Sequence, residues 1–123
     1  MGQWGEGHAR RYLEGKGYTV EATNYRSRWG EVDIVARHGE ELVFIEVRTR
    51  RGAAFGTPEE SVTAAKSRRL IATAQDYLQT HGLEQSQWRV DLVSIRLDVA
   101  GKLLGVNHLE NAVGEWGRIK KAN

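Results

Sequence analysis

Cysteine is absent from this sequence of 123 residues, which excludes disulfide bonds and thiolate metal ligands. A metal site would have to use oxygen or imidazole donors, a chemistry that favours hard cations such as Mg²⁺ or Mn²⁺. The lack of cysteine also fits a reducing compartment. Nothing near Met1 resembles a signal peptide, and no run of about twenty apolar residues occurs, so we expect a cytoplasmic protein without a membrane partner.

The sequence also has little net charge, because 18 lysines and arginines face 16 aspartates and glutamates, which leaves +2. Net charge therefore does not select a polyanionic partner. The basic residues are clustered, however, and the clusters together are suited to contact phosphates of a nucleic acid, with DNA as the expected partner. Each cluster taken alone is more typical of a solvated face. The predicted nucleic-acid-binding residues are Arg26, Arg28, Arg50, Arg51, Arg68 and Arg69.

No repeat, low-complexity stretch or linker divides the chain, so we expect one domain over residues 1–116 and a polar C-terminal tail over 117–123. Hydrophobic periodicity and turn residues predict an α/β fold of order α-β-β-β-α-β-β, a mixed central sheet of about five strands flanked by two main helices. The predicted helices span 3–14 and 57–81, the predicted strands span 18–22, 31–37, 42–49, 88–97 and 103–108, and a basic turn covers 24–30.

Both predicted helices carry a charged residue near their apolar stripe. Glu6 shares a stripe with Leu13 on the first helix, which is an unusual place for an unpaired carboxylate and calls for a partner. The second helix is predicted to begin with a capping box formed by Thr57 and Glu60. Its apolar stripe, continued one turn toward the N-terminus, reaches Lys66, so this ammonium is expected at the packed edge of the helix.

The second and third strands are expected to form a hairpin that carries two acidic residues on one face. With a turn at Gly39, Asp33 lies directly opposite Glu46, and Glu31 lies opposite Arg48. Carboxylates opposed across a ladder have Cβ atoms about 5 Å apart and repel, so the pair requires a cation or a shared proton. A divalent ion would meet this need. A charge network in which Arg48 compensates Glu31 and Asp33 would meet it equally well.

The same hairpin resembles a known nuclease signature. The segments 29–36 and 42–48 resemble the PD-(D/E)xK motif, which has an aspartate on one strand and Glu-x-Lys on the next. More of the chain is similar to the uncharacterised bacterial YraN-like family, in segments 5–6, 66–78, 89–93 and 108–112 as well as the hairpin. That family is similar in motif layout to archaeal Holliday-junction resolvases of the restriction-endonuclease-like superfamily.

The resemblance implies a restriction-endonuclease-like fold and a Mg²⁺ or Mn²⁺ site for phosphodiester hydrolysis in nucleic acid, with branched DNA as one substrate and a homodimer as one assembly. By this match Asp33 and Glu46 hold the metal, Glu6 reaches it directly or through water, and the backbone carbonyl of Val47 completes the protein ligands. The catalytic candidates are Glu6, Asp33, Glu46, Arg48 and Lys66.

Arg48 departs from the family signature, which has a lysine at this position. A guanidinium stays protonated, so Arg48 can stabilise charge but cannot act as a general base. Activity would then depend on ionisation of water by the metal itself or on Lys66 entering from the helix. Lys66 without a catalytic role is the other interpretation of that residue. An inactive nuclease-fold protein that binds nucleic acid is the alternative function.

Other conspicuous residues are predicted to be structural. Trp4, Trp29 and Trp88 are expected to pack in the interior, and Asp91 is expected to pair with Arg89 or Arg96. The four histidines show no metal-binding spacing, so we expect structural roles for them.

Overall fold

The computed structural model describes residues 2–52 and 63–112 of the chain. Within these ranges the predicted order α-β-β-β-α-β-β is confirmed. The elements are α1 (Gly2–Gly15), β1 (Thr19–Ser27), β2 (Gly30–His38), β3 (Glu41–Arg51), α2 (Ala64–Thr80), β4 (Gln87–Leu97) and β5 (Leu103–Leu109). No helix in this part of the chain has the length and apolar character needed to cross a bilayer.

The five strands form one mixed sheet in the order β1-β2-β3-β4-β5. Strands β3 and β4 are parallel, and the other neighbouring strands are antiparallel. A parallel pair needs a long crossover, and α2 lies on the segment that joins β3 to β4. The predicted mixed α/β fold with five strands and two main helices is therefore confirmed.

Each face of the sheet is covered by one helix. Leu13 of α1 packs with Val43 and Ile45 of β3 in one cluster, while Leu70 of α2 packs with Phe44 in the other. Neighbouring residues of β3 thus enter opposite cores, as the period of two in a strand requires. The continuous apolar run in the first half of β3 follows from this burial on both faces.

The hairpin of β2 and β3 has the predicted register from its turn to Ile34. Paired residues run from His38–Glu41 next to the turn to Ile34–Ile45, and Gly39 in the turn has φ 63°, a conformation that glycine adopts without steric cost. One residue beyond Ile34, the carboxylate of Asp33 accepts a hydrogen bond from the backbone N–H of Val47 at 2.7 Å. A side chain thus joins the two strands at this point.

Two predicted boundaries are wrong. The predicted basic turn over 24–30 is mostly strand, because β1 continues to Ser27 and pairs with β2 as far as Ser27–Gly30. Tyr25 in this segment donates a 2.6 Å hydrogen bond to Asp76 of α2, and this contact favours the extended backbone. The turn between β1 and β2 is formed by Arg28 and Trp29 alone.

The second boundary is the start of α2, which is at Ala64 rather than near position 57. Thr63 is extended, with φ −78° and ψ 166°, and its hydroxyl accepts a hydrogen bond from the N–H of Lys66 at 3.1 Å. Thr63 is therefore the N-cap. The predicted capping box at Thr57 and Glu60 lies outside the described residues, as does the predicted tail over 117–123.

Candidate functional site

A cleft of about 130 Å³ opens beside the point where the paired register of β2 and β3 ends. Strand β2 contributes Gly30, Glu31 and Asp33, β3 contributes Glu46, and the first two turns of α2 contribute the remaining lining residues. Both predicted hairpin carboxylates and the predicted helix lysine border this cleft. Its lining residues are Gly30, Glu31, Asp33, Glu46, Lys66, Arg69 and Leu70.

Asp33 is the carboxylate whose ionisation is most strongly affected by its surroundings. Burial raises the pKa of Asp33 to about 7, and the nearby charges of Glu46, Glu6 and Glu31 act in the same direction. The hydrogen bond from the N–H of Val47 opposes this shift, because it stabilises the charged form. Without a cation beside it, Asp33 therefore holds a proton more readily than an ordinary aspartate.

Glu46 is almost fully buried, with 5% of its surface exposed. One carboxylate oxygen, Oε2, lies 3.0 Å from Nζ of Lys66 and 3.4 Å from Nε of Arg48. A buried carboxylate requires such compensation, because an isolated charge in a low dielectric is very costly. Glu46 is therefore the cleft carboxylate that lies beside two cationic side chains, those of Lys66 and Arg48.

Lys66 reaches the cleft because of its place in the first turn of α2. Thr63 is the N-cap of α2, and its hydroxyl accepts a hydrogen bond from the N–H of Lys66. This bond fixes the backbone of the first turn. The side chain of Lys66 is 32% exposed, so its ammonium contacts both Glu46 and the open cleft. The prediction that Lys66 lies at the packed edge of α2 is confirmed.

Arg48 and Glu31 have partners that differ from the predicted charge network. Arg48 lies beside Glu46 on its own strand, and Glu31 lies 3.7 Å from Nε of Arg26 in the neighbouring strand β1. Compensation of Glu31 and Asp33 by Arg48 is one of the two alternatives that the sequence leaves open. The contact of Arg48 with Glu46 gives that buried carboxylate two cationic neighbours, Arg48 and Lys66.

Glu6 on α1 has a partner that the sequence did not suggest. With its side-chain nitrogen turned toward the carboxylates, Asn24 donates to Glu6 at 3.2 Å and to Glu31 at 3.1 Å. Asn24 has φ 53°, and asparagine is among the few residues that enter this left-handed region readily. The sequence signal for this contact is an asparagine in the basic segment 24–30, whose composition predicts a turn and not a strand.

The three carboxylates proposed from the resemblance are not gathered into one cluster. Within residues 2–52 and 63–112, no group of three or more histidine, aspartate or glutamate side chains is arranged to hold a metal ion. Asp33 and Glu46 share the cleft, whereas Glu6 is joined to Glu31 through Asn24. The protein donors at the cleft are therefore the carboxylates of Glu31, Asp33 and Glu46 and neighbouring backbone groups.

The predicted nucleic-acid-binding arginines are only partly brought together. Arg69 lines the cleft, and Arg26 lies beside the cleft residue Glu31. Arg28 is in the β1–β2 turn, where its guanidinium carbon lies 4.7 Å from the centre of the Trp29 ring. Arg68 lies on the exposed side of α2, and Arg50 and Arg51 are the last two residues of β3.

The predicted burial of Trp29 is wrong. Its surface is 46% exposed, because it occupies the two-residue turn that projects beyond the sheet. Trp88, by contrast, packs against the core under α2 with an edge-to-face contact to Phe44, as predicted. The side chain of Trp4 lies outside the part of the chain whose side chains are described.

Asp91 anchors a second polar cluster on β4, where it pairs with Ile45, the residue before Glu46 on β3. The predicted pair with Arg89 is present, with Nε of Arg89 2.9 Å from Oδ1 of Asp91. His108 contacts Asp91 at 2.7 Å, and the N–H of Asn111 donates to it at 2.8 Å. Arg89 also donates to the hydroxyl of Tyr18 at 2.7 Å. These contacts join β4 to β5 and to the start of β1.

The fold and the cleft together define a class of small α/β domain. Its mixed five-stranded sheet lies between two helices, and acidic and basic side chains meet in a cleft beside the β2–β3 hairpin. The sequence profile of the Uncharacterised protein family UPF0102 matches residues 5–95. The chain belongs to this family, which confirms the predicted YraN-like relationship.

Relatives in other bacteria are similar along almost their entire length. A UPF0102 protein of Roseiflexus castenholzii is 45% identical over 116 residues, which cover 94% of each chain. A UPF0102 protein of Dehalococcoides mccartyi is 46% identical over 114 residues, 93% of each chain. A third, from Moorella thermoacetica, is 46% identical over 111 residues, 90% of this chain and 92% of its own. These names carry no activity.

Proposed function

We propose that this protein is a Mg²⁺- or Mn²⁺-dependent endonuclease that hydrolyses phosphodiester bonds in nucleic acid, and that it belongs to the restriction-endonuclease-like superfamily. The observation that carries the proposal is that Asp33 and Glu46 border one cleft together with Lys66. The aspartate, glutamate and lysine of the nuclease signature are thus all present, although the lysine comes from α2 instead of β3. Branched DNA as a substrate and a homodimer as the assembly remain predictions.

The donor set at the cleft fits a hard divalent cation. Asp33 and Glu46 are oxygen donors, and their mutual repulsion contributes to the raised pKa of Asp33. The carbonyl of Val47 is a further oxygen donor on the adjacent backbone, and Glu6, whose charge acts on Asp33, would act through water. Two carboxylates, a carbonyl and waters form an ordinary Mg²⁺ shell that substrate phosphate can complete. When bound, the ion would neutralise phosphate charge and make its water more acidic.

The cationic residues of the chain have separate roles in this proposal. Lys66 takes the place of the signature lysine, and its ammonium, 3.0 Å from Glu46, orients the attacking water or a phosphate oxygen. Arg69 at the rim binds the phosphate backbone. A guanidinium is not a proton donor or acceptor in catalysis, so Arg48 stabilises Glu46 and the developing negative charge but transfers no proton.

The proposal is tested by incubating the protein with a panel of single-stranded, duplex, flapped and four-way-junction oligonucleotides in Mn²⁺ or Mg²⁺. We expect cleavage of at least one substrate, its loss with EDTA, and its loss in Asp33→Ala. Lys66→Met should reduce the rate by about a hundredfold. Restoring the lysine to β3 in the double variant Lys66→Met, Arg48→Lys should recover part of that loss.

The matched control is Glu84→Gln, which alters an exposed carboxylate beside Trp88, away from the cleft. This variant should cleave at the rate of the unmodified protein. Circular dichroism of each variant separates loss of activity from loss of folding. Absence of cleavage across the whole panel, or full activity in Asp33→Ala, would contradict the endonuclease proposal.

A nucleic-acid-binding protein without catalysis is the second candidate, and one observation favours it. Lys66 and Arg48 already compensate the buried charge of Glu46 without a metal. Binding would then be salt-sensitive but unchanged by EDTA. Mn²⁺-dependent product in the binding reactions would exclude this second candidate.

A further inference from the structure

The β1–β2 turn presents an aromatic ring to solvent, and the residues that follow it line the cleft. Trp29 is 46% exposed, and the guanidinium of Arg28 lies over its ring, 4.7 Å from the ring centre. A single exposed apolar residue is ordinary on a protein surface. Trp29 differs because a cation accompanies it and because the turn is held in place.

A chain of hydrogen bonds fixes this turn to α2. The N–H of Trp29 donates to the hydroxyl of Ser27 at 3.0 Å, and that hydroxyl contacts Oγ1 of Thr73 at 3.2 Å. Thr73, which is fully buried, donates in turn to the carbonyl of Arg69 at 2.8 Å. The exposed indole is therefore carried by a rigid support, and little conformational entropy would be lost when a ligand stacks on it.

The turn is also continuous with the wall of the cleft. Gly30 and Glu31, which follow Trp29 directly, are lining residues, and so is Arg69 on the facing helix. The turn and the helix are in close contact, since a Cβ added at Gly30 would lie 3.6 Å from Cβ of Arg69. Consecutive Cα atoms are about 3.8 Å apart, so the backbone of Trp29 directly adjoins the cleft residue Gly30.

We propose that Trp29 is a stacking platform for a nucleobase, and that the substrate is therefore a strand with an unstacked base beside the scissile phosphate. This inference rests on the proposed function, because it takes the phosphate backbone to lie in the cleft. A base inside an intact duplex is covered on both faces, whereas a base in a single strand, flap or junction offers a free face. Arg26, Arg28 and Arg69 supply the positive charge for its backbone.

Binding is measured in EDTA, so that the result does not depend on hydrolysis. Fluorescence anisotropy at low salt compares a labelled oligothymidine strand with a blunt hairpin duplex, using the unmodified protein, Trp29→Ala, Trp29→Phe and Trp88→Phe. We expect Trp29→Ala to weaken single-strand binding by about tenfold and Trp29→Phe by much less. Duplex affinity should stay almost constant, and Trp88→Phe should bind both probes normally.

Tryptophan fluorescence gives a second readout of stacking. Oligothymidine should quench the emission of the unmodified protein and of Trp88→Phe, and most of this quenching should be lost in Trp29→Phe. The inference is overturned if Trp29→Ala weakens both probes equally, if it weakens neither, or if the unmodified protein binds no nucleic acid at low salt.

The two proposals fail in different ways. If single-strand binding depends on Trp29 but no metal-dependent cleavage occurs, the stacking platform is supported and the endonuclease proposal is contradicted. The opposite result would be cleavage that depends on Asp33 but is unaffected by Trp29→Ala, together with unchanged affinity for the single strand. This result would contradict the stacking platform and leave the endonuclease proposal in place.

Discussion

At the scale of single residues, Asp33 and Glu46 border the same cleft but are compensated differently. Glu46 lies beside two cationic groups, those of Lys66 and Arg48, whereas Asp33 accepts one backbone hydrogen bond from Val47. A hydrogen bond from a neutral group offsets less of the cost of burying a charge than an ion pair does. Loss of the proton from Asp33 therefore opposes folding.

This difference predicts how Asp33 affects stability. Its pKa is about 7 in the folded state and near 3.8 when unfolded, so the folded protein binds the proton more tightly. The contribution of Asp33 to the free energy of unfolding is therefore greatest below pH 4 and is lost as the pH rises to 7. In EDTA at pH 8, Asp33→Asn should raise the free energy of unfolding by on the order of 2 kcal/mol.

Urea denaturation of both proteins at a series of pH values checks this prediction. The gain in stability from Asp33→Asn should shrink toward zero as the pH falls to 4. Saturating Mn²⁺ should stabilise the unmodified protein more than the variant. A gain that is the same at pH 4 and pH 8, or a loss at pH 8, would contradict it.

At the scale of elements, the close packing of α1 on β3 determines how near Glu6 lies to the sheet. Gly5 of α1 is buried, and a Cβ added to it would collide with the hydroxyl of Thr49 on β3. The helix can approach the strand only because position 5 has no side chain. This close approach brings the next residue, Glu6, within reach of Asn24.

Gly5→Ala should therefore destabilise the protein although alanine favours helix formation. Overpacking against Thr49 costs about 1–3 kcal/mol, which outweighs a gain in helix propensity of up to about 1 kcal/mol. Thermal or urea unfolding measures the loss. The double variant Gly5→Ala, Thr49→Ala should recover part of it, because the colliding hydroxyl is gone.

A matched substitution in the same helix is Gly7→Ala, since a Cβ at position 7 would meet only the flexible end of Arg11 at 3.7 Å. This variant should be as stable as the unmodified protein or more stable. Equal effects of Gly5→Ala and Gly7→Ala would show that close packing of α1 on β3 is not the cause.

At the scale of the whole molecule, the cluster around Asp91 joins β4 to β5 and to Tyr18, the residue before β1. Although burial acts to raise the pKa of Asp91, hydrogen bonds from His108, Arg89 and the N–H of Asn111 lower it below the usual value. The stability that comes from this depressed pKa is fully present above about pH 4 and is lost as the pH falls further.

Asp91→Asn should therefore destabilise the whole fold, by about 3 kcal/mol at pH 7, because the mostly buried Arg89 loses its one fully buried anionic partner among the described residues and keeps the more exposed Glu41. The difference from the unmodified protein should decrease below pH 4, and urea denaturation at several pH values measures both effects. Glu84→Gln is the control for loss of one exposed carboxylate. A small, pH-independent loss in Asp91→Asn would contradict this account of the cluster.

Local patterns predicted most of the fold. The continuous apolar run in β3 indicates burial on both faces, and the turn at Gly39 gives the register that brings Asp33 and Glu46 to one cleft. The stripe of α2 likewise placed Lys66 at the packed edge of the helix. These features depend on the period of each element, which can be read from neighbouring residues.

The errors came from long-range contacts and from competing local signals. Residues 24–27 have a turn-like, basic composition, but pairing with β2 and the contact of Tyr25 with α2 keep them extended. Thr63 and Thr57 are both good N-cap residues, and local sequence favoured the earlier one. Asn24 was missed as the partner of Glu6 because their contact joins different elements.

The sequence by itself determined the order of the elements, the hairpin register and the identity of the acidic and basic residues, because these follow from periodicity, turn residues and composition. Only the tertiary structure decided that Lys66 and Arg48 meet on Glu46, that Asn24 links Glu6 to Glu31, and that Trp29 faces solvent beside the cleft. Each of these depends on how helices and turns pack on the sheet, and such packing arises from many distant contacts at once.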